Sequence, residues 1–115
     1  MARFLLSARR IDSTIRSAIN LRYSKELRNI LKDIGLSFAT FDREVEPSGT
    51  RSKEGHTMDW AVAHVARKMP GRKLPEAIID LGAQGKEQMI LLLGKSPQEL
   101  VVRVTKIADR ARKDV

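Results

Sequence analysis

The spacing of apolar residues along the chain predicts that helices and strands alternate. Residues 2–19 repeat apolar side chains every three or four positions, which is the period of a helix. The pair Asp12-Ser13 is a helix-start signal inside this stretch, so two short helices are an alternative to one long helix. Residues 19–23 then alternate strictly between apolar and polar, which predicts a half-buried strand.

The middle of the chain predicts a helix, a strand, a long loop and another helix. Ser24 is a suitable N-cap for a helix that ends at Gly35, and residues 36–41 have the composition of a strand. Residues 42–55 show no apolar periodicity, and loops of this length are usually functional or mobile. A further helix is expected over residues 57–69.

The last third of the chain predicts two strands and a helix. Residues 77–81 and 89–93 are short apolar runs, separated by a glycine loop at 82–86. The connection is too short for a parallel crossover, so we expect the two strands to form a hairpin or to lie apart in the sheet. The tetrapeptide 96–99, Ser-Pro-Gln-Glu, is a capping box that begins the final helix.

This order of elements predicts an α/β domain with three layers, in which helices cover both faces of a mixed sheet. A chain of 115 residues is long enough for one domain with a true core, so we interpret residues 1–115 as a single domain. Cysteine is absent, which excludes disulfides and thiolate metal sites. The longest apolar run, 89–93, is too short to span a membrane, and we predict a cytoplasmic protein.

The net charge of +8 indicates an anionic partner or a basic surface that is merely solvated. Residues 1–34 hold eight Lys/Arg and three Asp/Glu, a balance of +5, and the other 14 basic and 11 acidic residues add +3. Both nucleic acid and a small phosphate would suit such a chain. Few aromatic residues are available to stack on single-stranded bases, so binding of nucleic acid is the weaker interpretation.

The first candidate cluster lies where the strand at 36–41 enters the long loop. Open α/β sheets place ligands at such strand ends. Arg43 is suited to a planar, two-pronged grip on a phosphate. The alternative is that Arg43 forms a surface ion pair with one of its neighbours Asp42, Glu44 or Glu46.

The second candidate cluster is the stretch from Asp80 to Glu87. Gly82 and Gly85 allow the backbone to turn and present amides to an anion, and Lys86 adds a positive charge. The glycine spacing and the strand that follows do not match a Walker A loop. An ordinary hairpin turn is the competing interpretation.

The third candidate cluster begins at Glu54 and continues into the helix over 57–69. Trp60 and His64 lie four residues apart, on the side nearly opposite the apolar stripe of that helix. A tryptophan there indicates packing against a second layer, a partner subunit or a ligand, and the first is the commonest case. His56 and His64 lack the company of other metal ligands, so a structural zinc site is not predicted.

Taken in order, these segments resemble the ThiN-type thiamine-phosphate synthase domain, which is often fused behind a hydroxymethylpyrimidine kinase in archaea. The resemblance covers essentially the whole chain. It departs from the family pattern at Gln88, where a proline is expected, and at His56, where a small or neutral residue is expected. The chain is similar to such a domain without its N-terminal strands and helix. The matching motifs are Ile19-Asn20-Leu21-Arg22-Tyr23-Ser24, Ser37-Phe38, Phe41-Asp42-Arg43-Glu44-x-Glu46-Pro47, Glu54-Gly55-x-Thr57-Met58-x-Trp60 and Asp80-x-Gly82-x-x-Gly85-Lys86-Glu87-x-Met89-Ile90.

The resemblance implies a fold similar to the class II aldolase type and a condensation of hydroxymethylpyrimidine diphosphate with thiazole phosphate. The products are thiamine phosphate and diphosphate. On this basis the candidate catalytic residues are Arg43 and His64, and Mg²⁺ is expected at Glu54 or Asp80. The candidate phosphate-binding residues are Asn20, Arg22, Gly82, Gly85 and Lys86.

Two other functions stay open from the sequence. The first is a domain that senses thiamine phosphate without making it, as the regulatory members of this family do. The second is a basic nucleic-acid-binding module. The expected partners of an enzyme are the two phosphorylated precursors, and also a second copy of the chain or a kinase domain.

Overall fold

Helices and strands alternate along the parts of the chain that the structure, a computed structural model, describes: residues 1–46, 56–83 and 85–113. Short 3-10 turns follow the second strand at Arg43–Val45 and the third helix at Pro70–Arg72. The helices are α1 (Ala2–Ile11), α2 (Lys25–Asp33), α3 (His56–Lys68) and α4 (Pro97–Lys113). The strands are β1 (Ser17–Arg22), β2 (Phe38–Phe41), β3 (Ala77–Asp80) and β4 (Met89–Gly94).

The four strands form one mixed sheet in the order β1-β4-β3-β2. β4 pairs antiparallel with both β1 and β3, so the predicted hairpin between the last two strands is confirmed. β2 pairs parallel with β3, and α3 lies in the crossover between them. This arrangement puts β3 and β4 in the centre of the sheet, which explains their continuous apolar sequences.

Helices cover both faces of the sheet, as the alternation of elements predicted. Successive strand residues point to opposite faces, so the apolar residues of β3 and β4 divide between two cores. The first core lies under α1 and α3, and it contains Phe4, Ala8, Ile15, Phe41, Ala61, Val62, Val65, Ile78, Leu91 and Leu93. The second core lies under α2 and α4, and it contains Ile30, Leu31, Ala77, Ile79, Ile90, Leu92, Leu100 and Ile107.

The predicted helix boundaries of α2 and α4 are confirmed by their hydrogen bonds. The Ser24 hydroxyl oxygen accepts from the Leu27 amide at 3.0 Å, and Gly35 ends α2 with a positive φ of 76°. At α4 the Ser96 hydroxyl oxygen accepts from the Glu99 amide at 3.1 Å, as in the predicted capping box. No helix in the described residues has the length and apolar content that a membrane span requires.

The helix expected from residue 2 is present as α1, but the helical prediction for residues 12–19 was wrong, because α1 ends at Ile11 and residues 17–22 form a strand. The Asp12 side chain accepts hydrogen bonds from the Thr14 amide at 3.0 Å and from the Thr14 hydroxyl at 2.6 Å. This local turn competes with continuation of the helix. Ile15, just before β1, belongs to the first core, and Ala18, within β1, packs against it. Their helical spacing therefore reflects burial in this core and not a helix.

Candidate functional site

The sheet brings three of the predicted motifs to one of its ends. A single row of paired residues crosses that end: Arg22 pairs with Met89, Met89 with Asp80, and Asp80 with Phe41. β1, β2 and β3 finish at this row and β4 begins there. We call this row, with the turns that leave it, the site end of the sheet.

The side chains of the site end belong to the face covered by α1 and α3. Asn20 pairs with Leu91, a residue of the first core, so Asn20 and Arg22 share that face. Both of these side chains are exposed, and the Asn20 amide nitrogen donates to the Met89 sulfur at 3.5 Å. The face of β1 is therefore open to solvent beside the site end. Met89 is a member of this row that the site prediction did not include.

Arg43 forms a buried ion pair with Asp80. The Arg43 Nε lies 3.0 Å from Asp80 Oδ2 and 3.2 Å from Oδ1, and Arg43 Nη2 lies 2.8 Å from Oδ2. The Asp80 side chain has 0% of its surface exposed and that of Arg43 has 18%. The alternative predicted for Arg43 was an ion pair with a neighbour in sequence. Its partner here, Asp80, lies 37 residues away along the chain.

The turn that carries Arg43 has a defined shape. The Asp42 carboxylate accepts from the Glu44 amide at 2.9 Å, and the Glu46 amide donates to the Arg43 carbonyl at 3.1 Å. At the end of this turn the buried Glu46 accepts a hydrogen bond from the Thr57 hydroxyl at 2.7 Å. This bond ties the first turn of α3 to the site end. Neither Glu46 nor Thr57 was among the predicted site residues, although both stand in the matching motifs.

The glycine loop after β3 is closed by hydrogen bonds within the protein. Gly82 and Gly85 both adopt the left-handed region, with φ of 73° and 78°. The Gly82 amide donates to Asp80 Oδ1 at 2.8 Å, and Ala83 and Lys86 exchange backbone bonds of 3.4 and 2.8 Å. These three amides already have acceptors, whereas the Lys86 side chain is exposed.

An aromatic stack connects His64 to the site end. Trp60 lies edge-on to Phe41, with ring centroids 6.1 Å apart, and His64 stacks on Trp60 at 5.0 Å. Trp60 also packs against the first core, which confirms packing on a second layer as the reason for its position. His64 is thus connected to the end of β2 through Trp60, which contacts Phe41.

Burial lowers the pKa of His64, and the nearby positive charges of Lys68 and Arg67 lower it further. Both basic residues follow His64 within one helical turn of α3. The neutral imidazole is therefore the favoured form near neutral pH. In that form the ring offers one N–H donor and one acceptor nitrogen.

Of the two predicted magnesium ligands, Glu54 and Asp80, the structure describes only Asp80. Glu54 lies outside the described residues, and residues 1–46, 56–83 and 85–113 contain no group of three or more His, Cys, Asp or Glu side chains arranged to hold a metal ion. The oxygens of Asp80 accept from Arg43 and from the Gly82 amide. The magnesium assignment of both residues stays a prediction.

Comparison with known proteins agrees with the motifs gathered at the site end. The family described as thiamine-phosphate synthase ThiN matches residues 1–106. The chain belongs to this family. It is 34% identical over 107 residues to thiamine-phosphate synthase ThiN of Methanothermobacter thermautotrophicus, and 35% identical over 104 residues to the bifunctional thiamine biosynthesis protein ThiDN of Methanocaldococcus jannaschii.

The likeness to members of the ThiN family extends to the fold. A crystal structure of the C-terminal domain of phosphomethylpyrimidine kinase superposes with a TM-score of 0.82 at 34% identity, over 92% of this chain and 59% of that one. The two curated relatives are matched over 93% and 90% of this chain, but over only 55% and 23% of their own lengths. The chain thus spans about half the length of the first of these relatives.

Replacement of Gly82 by alanine is expected to destabilise the ThiN domain more than the same change at Gly85. A Cβ at Gly82 would meet the Lys86 carbonyl oxygen at 2.7 Å, whereas a Cβ at Gly85 would have no atom within 4 Å. Both changes strain a left-handed residue by about 1 kcal/mol, and overpacking adds about 1–3 kcal/mol at Gly82 alone. Urea unfolding of the two variants measures this difference, and equal losses would contradict the described loop.

His64 is expected to make the domain less stable as the pH falls below the ordinary histidine pKa of 6.5. Its pKa is lowered in the folded state, so the unfolded chain binds the proton more readily, and stability is lost from about pH 6.5 downwards. NMR titration of the imidazole gives the pKa directly. Urea unfolding at pH 7.5 and 5.5 should show a smaller pH effect in His64→Gln, and an unchanged effect would refute the assignment.

Proposed function

We propose that this chain takes part in thiamine biosynthesis by joining hydroxymethylpyrimidine diphosphate to thiazole phosphate. In this reaction the bond between the pyrimidine methylene carbon and the diphosphate oxygen breaks, and diphosphate leaves with the electron pair. The thiazole nitrogen then forms the new bond to that carbon, so that the ring becomes a cationic thiazolium. No oxidation or reduction occurs. Membership of the ThiN family and the names of its relatives support this proposal.

The observation that carries the proposal is the grouping of basic side chains at the site end of the sheet. Arg22 lies in the terminal row, Arg43 forms an ion pair with Asp80 of that row, and Lys86 lies three residues before Met89, where β4 begins. Two phosphorylated substrates bring several negative charges together, and that charge must be neutralised when diphosphate departs. Three basic residues at one end of the sheet suit this requirement.

We assign the roles according to position. Arg43 and Lys86 stabilise the departing diphosphate, and Gly85 and Gly82 shape the loop that presents Lys86. Arg22 and Asn20, exposed on the open face of β1, bind the phosphate of the thiazole. Arg43 is held by Asp80 before the substrates bind, and preorganised charge of this kind is the main source of transition-state stabilisation in many enzymes.

His64 is proposed to act as a neutral hydrogen-bonding group beside the reacting rings. Its lowered pKa keeps the imidazole uncharged, so it does not compete with Arg43 and Lys86 for the diphosphate. The stack on Trp60 fixes the plane of the ring. Apolar rings on this side also help to exclude water, which would otherwise capture the cationic pyrimidine methylene.

We propose that Mg²⁺ reaches the site mainly as a partner of the diphosphate. Mg²⁺ commonly keeps several waters and is bound through one or two carboxylates together with substrate phosphates. The oxygens of Asp80 are engaged by Arg43 and the Gly82 amide, so Asp80 is poorly placed as a main ligand. Glu54 is retained as a candidate carboxylate.

The remaining proposals follow from the relatives. One of them is a bifunctional thiamine biosynthesis protein, and a structural neighbour is the C-terminal domain of a kinase, so we propose a kinase domain or a second copy of the chain as the partner. Thiamine precursors are made inside the cell, and we propose a cytoplasmic location. The mixed sheet between helix layers supports the proposed likeness to the class II aldolase fold.

A direct assay tests the proposed reaction. The chain, incubated with both precursors and Mg²⁺, is expected to release thiamine phosphate and diphosphate in equal amounts, which mass spectrometry quantifies. Binding of thiamine phosphate in calorimetry without any turnover would overturn the synthase proposal and favour a ligand-sensing domain. The absence of both turnover and binding would contradict either function.

Removal of the charge proposed to bind the thiazole phosphate is expected to weaken substrate binding more than turnover. Arg22→Ala should raise KM by about 10- to 100-fold, because a charge-assisted contact contributes about 1.5–3 kcal/mol. Arg9→Ala and Lys32→Ala are matched controls. Arg9 is in the last turn of α1 and Lys32 in that of α2, and neither helix end adjoins the site end. Equal effects in the controls would indicate general electrostatics instead of specific contacts.

A further inference from the structure

We propose that Asp80 is a positioning residue, which orients Arg43 and the Gly82–Lys86 loop relative to each other. This inference rests on the proposed function and deepens it, since it assigns the geometry of the diphosphate site to one buried carboxylate. Asp80 itself is not placed in contact with the substrate. Asp80 is thus assigned a role that acts through Arg43, in place of its predicted role as a magnesium ligand.

The first observation is the two-pronged contact. Arg43 uses Nε and Nη2, which lie on one edge of the guanidinium, against the two oxygens of Asp80, at distances from 2.8 to 3.2 Å. Two contacts fix the plane of the group as well as its position. The opposite edge of the guanidinium therefore points in one defined direction. A single contact, of the kind a lysine makes, would leave this direction variable.

The second observation is that Asp80 is held within the sheet on both sides. It is the last residue of β3 and is paired on both sides, with Phe41 of β2 and Met89 of β4. Its side chain is fully buried, where an ionised carboxylate requires a partner. A charge held in this way acts on Arg43 with less screening than a surface carboxylate would.

The third observation is that the same carboxylate holds the glycine loop. Asp80 Oδ1 accepts from the Gly82 amide at 2.8 Å, and the bonds between Ala83 and Lys86 then fix the rest of the turn. Arg43 and Lys86 come from segments more than forty residues apart, yet Asp80 is bonded to both segments. One side chain therefore links the turn of Arg43 to the loop that carries Lys86.

Replacement of Asp80 by asparagine tests this coupling. Asparagine has nearly the same size, but it exchanges one acceptor oxygen for a donor and removes the charge. We expect kcat to fall by about 10- to 100-fold with a smaller change in KM, because a misplaced charge loses transition-state stabilisation. In an Arg43→Ala background the further loss from Asp80→Asn should be clearly smaller, because only the bond to the glycine loop remains to be lost. A purely structural role would reduce kcat by the same factor in both backgrounds, and that result would overturn the proposal.

A second measurement does not depend on activity. In the wild-type chain the Arg43 Nε–H should give a discrete NMR signal that is protected from solvent exchange, while the exposed Arg9 Nε–H exchanges rapidly. Asp80→Asn should abolish this protection, and the control Asp33→Asn, which removes the exposed partner of Arg110, should leave it intact. Rapid exchange of the Arg43 signal in the wild type would refute the positioning role even if Asp80→Asn fails to fold.

The two measurements separate this inference from the proposed function. A chain without turnover but with a protected Arg43 Nε–H would contradict the synthase proposal and support the positioning role of Asp80. A chain with turnover and a mobile Arg43 side chain would support the synthase proposal and contradict the positioning role.

Discussion

The buried ion pair between Arg43 and Asp80 is the interaction on which the candidate site depends. A carboxylate with no exposed surface is stable only with close partners, and loss of one member of a buried pair typically costs about 3–5 kcal/mol. Arg43 satisfies this requirement from the turn after β2, and Gly82 does so from the loop after β3. The need to satisfy one buried charge thus holds together two loops that are distant in sequence.

The mixed sheet explains why the polar residues collect at one end. β2 and β3 are parallel, so their carboxyl ends meet at the same edge, and β1 ends beside them because it pairs antiparallel with β4. The two cores bury the central strands on both faces. Polar side chains are then acceptable only where the strands leave these cores, which is where ligands bind in open α/β sheets.

The likeness to the ThiN family gives this geometry a chemical context. The matched region includes every described residue of the site end, whereas the matched relatives extend well beyond it. Asn20 and Arg22 on the open face of β1 are both exposed. In the proposed reaction these two solvent-accessible residues bind the thiazole phosphate, and the half-buried Arg43 neutralises diphosphate.

The sequence by itself determined the α/β class, most helix and strand bounds and the family motifs, because periodicity, caps and glycines act within a few residues. It failed at residues 12–19, where a turn at Asp12 and pairing of β1 with β4 outweigh a helical spacing. Only the tertiary structure decided that Arg43 pairs with Asp80 and that His64 reaches the site end through Trp60. Such contacts join residues whose proximity is set by the folded sheet, and no local pattern encodes them.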